Sequence, residues 1–340
     1  MTHHEIEIMP MDAPAVLYAL RWLIHDTFRQ AVSSRVFWIF LSLSLFGIVF
    51  CLGVSVEGGA LLDEQELITP NGKLISEAKE APGRVSLVFG VFSYTFTRKA
   101  EDEVQFLLSI FASWIAGTAG IVMALVWTAG FVPESLHPSA ASVSLAKPVA
   151  RWLFLAGKYL GVVCFVALNA TIFFVGTWLA LGLRTNVWHV NYLMGIPLMV
   201  FHFAVIFSCS VMLAVMFRST MACVVGGVLF WIVCYGVNYG RHFAVVYNSD
   251  LGQGLPPLSE FSIFLSELSY WLLPKPADFT IMLERSLNLG SAKLTLADQA
   301  PFREVLARNL FHSILAIFTS CLFPAFALWA SAAQLAKTDY

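Results

Sequence analysis

The histidines, cysteines and methionines that interrupt apolar runs are where chemistry could be sought first in this chain. His202 stands with Met199, Cys209, Met212 and Met216 within less than half the circumference of one helix. Soft thioether, thiol and imidazole groups suit copper. One helix cannot close a coordination shell alone, and no other apolar run offers a matching cluster. The stripe therefore reads as methionine and cysteine filling gaps between packed helices, with His202 hydrogen-bonded to a neighbour. No metal and no cofactor is expected. For a membrane-embedded enzyme the available material is His202, Asn238, His242 and His312, and no carboxylate accompanies them inside the apolar runs.

Motifs for catalysis are missing as well. There is no HExxH and no GxSxG; Gly53-Val54-Ser55-Val56-Glu57 lacks the second glycine. A Walker A loop fails twice, because Tyr159 follows Gly157-Lys158 and Trp152 stands where the first glycine belongs. The chain is not expected to hydrolyse ATP by itself. The central parts of the apolar runs also hold no Asp, Glu, Lys or Arg. Ion-coupled carriers usually place such groups near the membrane midplane, so a transporter built this way would draw its energy from outside.

The elements that carry these residues are membrane helices. The chain is 58% hydrophobic and 12% charged, with a mean hydropathy of +0.75; soluble domains are about 25% charged. The formal net charge is −2, and no basic stripe suggests a nucleic-acid partner. All six cysteines lie in apolar stretches and read as reduced thiols. The first apolar block follows a polar N-terminus, so no signal peptide is expected.

Six segments reach the roughly 20 apolar residues that a bilayer core demands of a helix: Val36–Val56, Gln105–Val132, Tyr159–Leu183, Tyr192–Phe217, Thr220–Tyr239 and Asn309–Ala333. The fold class expected is an all-α integral membrane protein with six transmembrane helices, preceded by an amphipathic interfacial helix. Residues 1–35 form the cytoplasmic N-terminus with that helix, 36–333 the transmembrane domain and 334–340 a cytoplasmic tail. Only Arg218-Ser219-Thr220 joins the fourth and fifth spans, which predicts a tight antiparallel hairpin. Basic residues near the membrane mark the cytoplasmic face. Arg21, Arg29, Arg35, Lys147, Arg151, Lys158 and Arg218 share one side, against Arg184, Arg241 and Arg308 on the other. Both termini are accordingly placed in the cytoplasm of a multi-pass protein of the cell (inner or plasma) membrane. The loops 57–104, rich in acidic residues, and 241–308 are then non-cytoplasmic.

Ahead of the first span, Val16, Leu17, Leu20, Leu23, Ile24, Phe28, Ala31 and Val32 recur at helical spacing, with Arg21, His25, Arg29 and Ser33 on the opposite face. This pattern fits a helix lying in the membrane interface with its basic face towards lipid headgroups. A helix packed on the protein's own loops would show the same pattern. Within 241–308, Leu258–Leu273 is rich in Phe, Leu, Tyr and Trp, and is expected to lie on or dip into the outer interface without crossing.

The cytoplasmic segment 133–158 carries the most specific text. It runs Pro133-Glu134-Ser135-Leu136-His137-Pro138, then the small residues from Ser139 through Ala141 to Ala146, then Lys147-Pro148-Val149-Ala150-Arg151-Trp152 and Gly157-Lys158-Tyr159. Read physically, a span exits, prolines break the chain, and a short surface helix ends at Pro148. A basic edge of Lys147, Arg151 and Lys158 then leads into the next span.

This order of features resembles the permeases of type-2 ABC exporters, above all the multicopper-enzyme-maturation subgroup, such as the nitrous oxide reductase maturation permeases. In those proteins a Glu-containing turn leaves span two, a short coupling helix follows, and a Lys-Pro-x-x-Arg-(Trp) segment precedes a Gly-Lys-Tyr/Phe start to span three. The likeness covers most of the chain as architecture and about 30 residues as motif. It departs after the exit Glu, where Ser135-Leu136-His137-Pro138 replaces the family's usual Gly or Thr. The resemblance implies a homodimer, or a heterodimer with a second permease, held in the lipid bilayer. It also implies a separate ABC ATPase subunit docked near Glu134, Ser139, Ala141, Lys147, Pro148, Arg151 and Lys158. Two other functions stay open: a membrane-embedded enzyme, and a non-transport assembly subunit of a membrane complex.

Overall fold

The computed structural model describes residues 13–57, 67–68, 74–75, 83–96, 100–136, 150–247, 258–287 and 300–337. The described chain is mostly helical. Among these residues five helical stretches are long and apolar enough to cross a membrane: Ala100–Ser135, Arg151–Thr185, Val190–Phe217, Thr220–Tyr247 and Ser313–Ala336. The first expected span corresponds to α2 (Arg35–Leu52), only 18 residues long. It enters the count as a sixth span only when joined to α1 (Ala13–Ser33), from which it is bent by 72°. Length and composition thus make the chain a multi-pass α-helical membrane protein.

The stretch Ala100–Ser135 is α3 (Ala100–Ile110), a π-helical segment (Phe111–Gly120), α4 (Ile121–Thr128) and α5 (Phe131–Ser135). Next come α6 (Arg151–Thr185), a 3-10 turn (Val190–Met194) leading into α7 (Gly195–Phe217), and α8 (Thr220–Tyr247). The connection to the last helix holds α9 (Glu260–Leu272), α10 (Pro276–Ser286) and α11 (Ala300–Ala307) before α12 (Ser313–Ala336).

At 35 residues, α6 is roughly 52 Å long, well beyond the roughly 30 Å hydrocarbon core. It is the central pillar. Phe165 on it is ringed by Phe28, Phe37, Phe40 and Phe131 at centroid distances of 6.2–6.4 Å. Further along, Phe173 and Phe174 meet Phe111 and Tyr192 in a second core. The helix ends on Asn186, whose left-handed backbone (φ 57°) lets its N–H donate to the Gly182 carbonyl. α1 seats on its first turns through a small-residue stripe. A Cβ on Gly157 would lie 2.6 Å from Leu23 Cδ1, and one on Gly161 2.6 Å from Thr27 Cβ, so only glycine permits this approach.

The expected hairpin is present: α7 and α8 pack together across Arg218-Ser219, with Arg218 in the left-handed region at φ 48°. α8 continues about two turns past Tyr239, the end that apolarity alone predicts. Arg241 and His242 on this extension are buried by α9 and α10.

The purely α-helical expectation needs one correction. In the first long loop β1 (Ser55–Glu57), β4 (Gly83–Leu87) and β5 (Phe92–Phe96) form an antiparallel sheet in the order β1-β4-β5. The short strands β2 (Leu67–Ile68) and β3 (Leu74–Ile75) pair separately. Val85 and Phe96 turn inward to the second core, while Arg84 on β4 and Phe92 to Thr95 on β5 are exposed. The sheet sits over the end of α2, where the Phe89 N–H donates to the Gly53 carbonyl at 2.9 Å.

Candidate functional site

Two polar constellations stand out against the apolar bundle. The first lies where α1, α5 and the head of α6 converge. Asp26, Arg29, Gln30, Ser33, Glu134, Ser135 and Lys158 line a groove of about 420 Å³. Glu134 is exposed at the end of the second span, one residue from the C-terminus of α5. Lys158 is buried, and its ammonium donates to Asp26 Oδ2 at 3.0 Å and to Gln30 Oε1 at 3.4 Å. It clamps α6 to α1 directly beside Gly157, so it does not present a free charge. Arg151 donates from Nη1 to the carbonyls of Leu335 (3.0 Å) and Ala336 (3.2 Å), capping the last turn of α12. Both basic residues of the expected coupling segment that lie among the described residues, Arg151 and Lys158, therefore hold the bundle end together, leaving Glu134 to face outward. Ser139, Ala141, Lys147 and Pro148 lie outside the described residues.

On α1, Arg21, His25 and Arg29 are all exposed on one side, as the periodicity predicts. Leu23, Thr27 and Ala31 are buried against α6. Leu17 and Tyr18 are exposed as well, so this helix shows apolar and basic residues together on its free surface.

The second constellation could not be read from the apolar runs. Asn238, Arg241 and His242 fall on one face of α8 at helical spacing. Asp278 at the start of α10 reaches them from the connecting segment. Its Oδ1 lies 2.7 Å from His242 Nε2 and accepts from Asn238 Nδ2 at 3.1 Å, while Oδ2 accepts from Tyr270 OH at 2.7 Å. Its backbone N–H in turn donates to Asn238 Oδ1 at 3.0 Å. A carboxylate from the connecting segment thus reaches the α8 histidine and asparagine, although none lies inside the apolar runs themselves. Arg241 donates to Glu267 Oε1 at 3.0 Å and lies 4.6 Å over the Tyr270 ring. Lys275, between Pro274 and Pro276, donates to Thr319 Oγ1 of α12 at 2.8 Å and sits 4.7 Å over the same ring. His242, Lys275 and Asp278 are fully buried. Substrate could not touch these groups, so the cluster acts as a latch fastening α9 and α10 to α8 and α12.

α9 has 13 residues and α10 has 11, too short to span a bilayer alone. α9 shows Phe261, Phe264 and Leu272 outward.

Burial pushes the Lys275 ammonium down to about 8, against an opposing pull from Asp278. A lysine whose folded pKa lies below its unfolded value binds fewer protons when folded. The latch therefore carries the full penalty below pH 8, and the fold gains stability as pH rises from about 8 towards the ordinary lysine value of 10.5. Lys275→Met is expected to abolish that rise in thermal unfolding midpoint without loss of stability at neutral pH. An unchanged slope would assign the titration to another group.

His202 is buried on α7, with its ring 5.6 Å from that of Phe279 on α10. Among the described residues no group of three or more His, Cys, Asp or Glu is placed to hold a metal ion. Comparison with family models, curated proteins and solved structures finds no match to this chain.

Proposed function

We propose that this chain is the membrane-spanning permease subunit of an ATP-driven ABC transporter of the exporter class. It has six spans, both termini in the cytoplasm, and α1 lying in the cytoplasmic interface. A separate ATPase subunit docks on the segment 133–158, and the permease works as a dimer. The observation that carries the reading is the groove at the end of the bundle. Glu134, the exit residue of span two, opens onto it together with Arg29 of α1 and the Lys158–Asp26 clamp. A push on the segment that follows Glu134 is thereby delivered to three helices at once: α5, α1 and the central α6. The sequence text of 133–158, its likeness to type-2 exporter permeases, and the lack of Walker A residues support the same reading.

A topology experiment tests the arrangement. In a background with the exposed Cys164 and Cys321 changed to serine, a cysteine at Ser139 should react with an impermeant maleimide only from the cytoplasm. One at Asn71 should react only from outside. Labelling of both from the same face of intact cells contradicts six spans with cytoplasmic ends.

A further inference from the structure

The second span is wound as a π-helix over Phe111–Gly120, with ordinary α-helix on both sides. The Thr118 hydroxyl donates to the Ser113 carbonyl five residues back at 3.1 Å. π segments are rare and frequently lie at functional sites. Here a cavity of about 20 Å³ adjoins the segment, lined by Ser113 and Gly117 of span two, Met199 and His202 of α7, and Phe279 and Thr280 of α10.

Two of the lining residues leave a buried polar atom with no hydrogen-bond partner among the described residues: Ser113 Oγ and His202 Nε2. Each residue is only 5% exposed. The Thr280 hydroxyl is held by nothing better than a 3.4 Å contact to the Pro276 carbonyl. Buried polar groups are rarely left orphaned, because the desolvation cost stays unrecovered. A cavity holds one water when it offers about 10–15 Å³ to the water centre and two to four polar partners. Its volume meets the first condition, and Ser113, His202 and Thr280 on its lining are the polar groups available for the second.

We propose that the cavity is a binding site for a single ordered water molecule, which bridges Ser113 Oγ, His202 Nε2 and the Thr280 hydroxyl. The water ties the π segment of span two to α7 and to α10, the helix that also carries the Asp278 latch. Three elements that share no direct side-chain hydrogen bond at this level are thereby joined through one small mediator. The inference does not depend on the transport reading, since it uses only burial, volume and unpartnered atoms.

The wild-type protein in nanodiscs supplies the first measurement. A density map at about 2 Å, a resolution at which ordered waters are visible, should show one peak within hydrogen-bond distance of Ser113 Oγ and His202 Nε2. An empty cavity in such a map overturns the proposal. The second measurement is a double-mutant cycle on apparent unfolding midpoint. Ser113→Ala and His202→Leu should each lower it by about 2–6 °C, since each leaves the water and the opposite group short of a partner. The double variant should lose clearly less than the sum, because it removes both orphans together. His202→Gln, which keeps a polar end, should fall closer to wild type than His202→Leu. Strictly additive losses, or single variants that melt like wild type, contradict a shared water.

Discussion

Asp278→Ala should destabilise the protein by about 3–5 kcal/mol, the usual cost of removing one partner from a buried charged network. The carboxylate engages three side chains from two helices, His242 and Asn238 on α8 and Tyr270 on α9, and it is fully buried. Its loss leaves those groups facing one another in an apolar setting with no water to replace it. Asp278→Asn keeps the shape but turns two N–H donors towards groups that also donate, so it should recover only part of the loss. Both are to be measured by thermal unfolding in detergent, with proteolysis at residues 288–299 reporting release of α10. A variant that melts with wild type would mean that α9 and α10 are held by their apolar contacts alone. The expected effect exceeds that of Lys275→Met because Lys275 carries its own desolvation penalty, whereas Asp278 is fully hydrogen-bonded.

The second large effect concerns the docking of the ATPase. On the proposed reading, Glu134 enters an interface where it is desolvated against a basic group of the partner. Glu134→Lys then places like charges together at the mouth of a groove that already holds Arg29 and Lys158. Loss of a buried interfacial charge pair commonly costs about 2–5 kcal/mol, on the order of 30- to 4,000-fold in affinity. Ala141→Trp should act as strongly by bulk, since small side chains from Ser139 to Ala146 would let the coupling helix seat closely. Arg151→Glu is a poorer probe, because Arg151 caps α12 and its loss would disturb the bundle itself. Neither Glu134→Lys nor Ala141→Trp alters a transmembrane core contact, so expression and insertion should be preserved.

What the sequence made legible was whatever depends on local pattern. Apolar runs located the long helices, the short link Arg218-Ser219-Thr220 located the hairpin, and the 3.6-residue repeat of α1 separated Leu23 and Ala31 from Arg21, His25 and Arg29, while Thr27 on the buried face went unread. What it hid depends on long-range pairing. Arg241 and His242 looked like the end of a span, yet α8 runs on to Tyr247, and Asp278 and Glu267 pair with them from the connecting segment. Lys158 read as one more basic residue at a membrane edge until Asp26, more than a hundred residues earlier, proved to be its partner. The sheet was foreshadowed by the alternation in Phe92-Ser93-Tyr94-Thr95-Phe96, a signal submerged in a loop judged only by its charge. The π segment had no comparable signal in the residue types of Phe111–Gly120.

The most direct test of the central claim is co-purification. Tagged wild-type chain, expressed with its candidate ATPase, should bring that subunit down in equal amount and show nucleotide hydrolysis only in the complex. Glu134→Lys and Ala141→Trp, at matched membrane levels, should lose the partner almost entirely, while Lys73→Glu, in the loop proposed to be non-cytoplasmic, should keep it. If Glu134→Lys and Ala141→Trp retain the ATPase as fully as wild type, or if the chain purified alone hydrolyses ATP, the permease reading is contradicted.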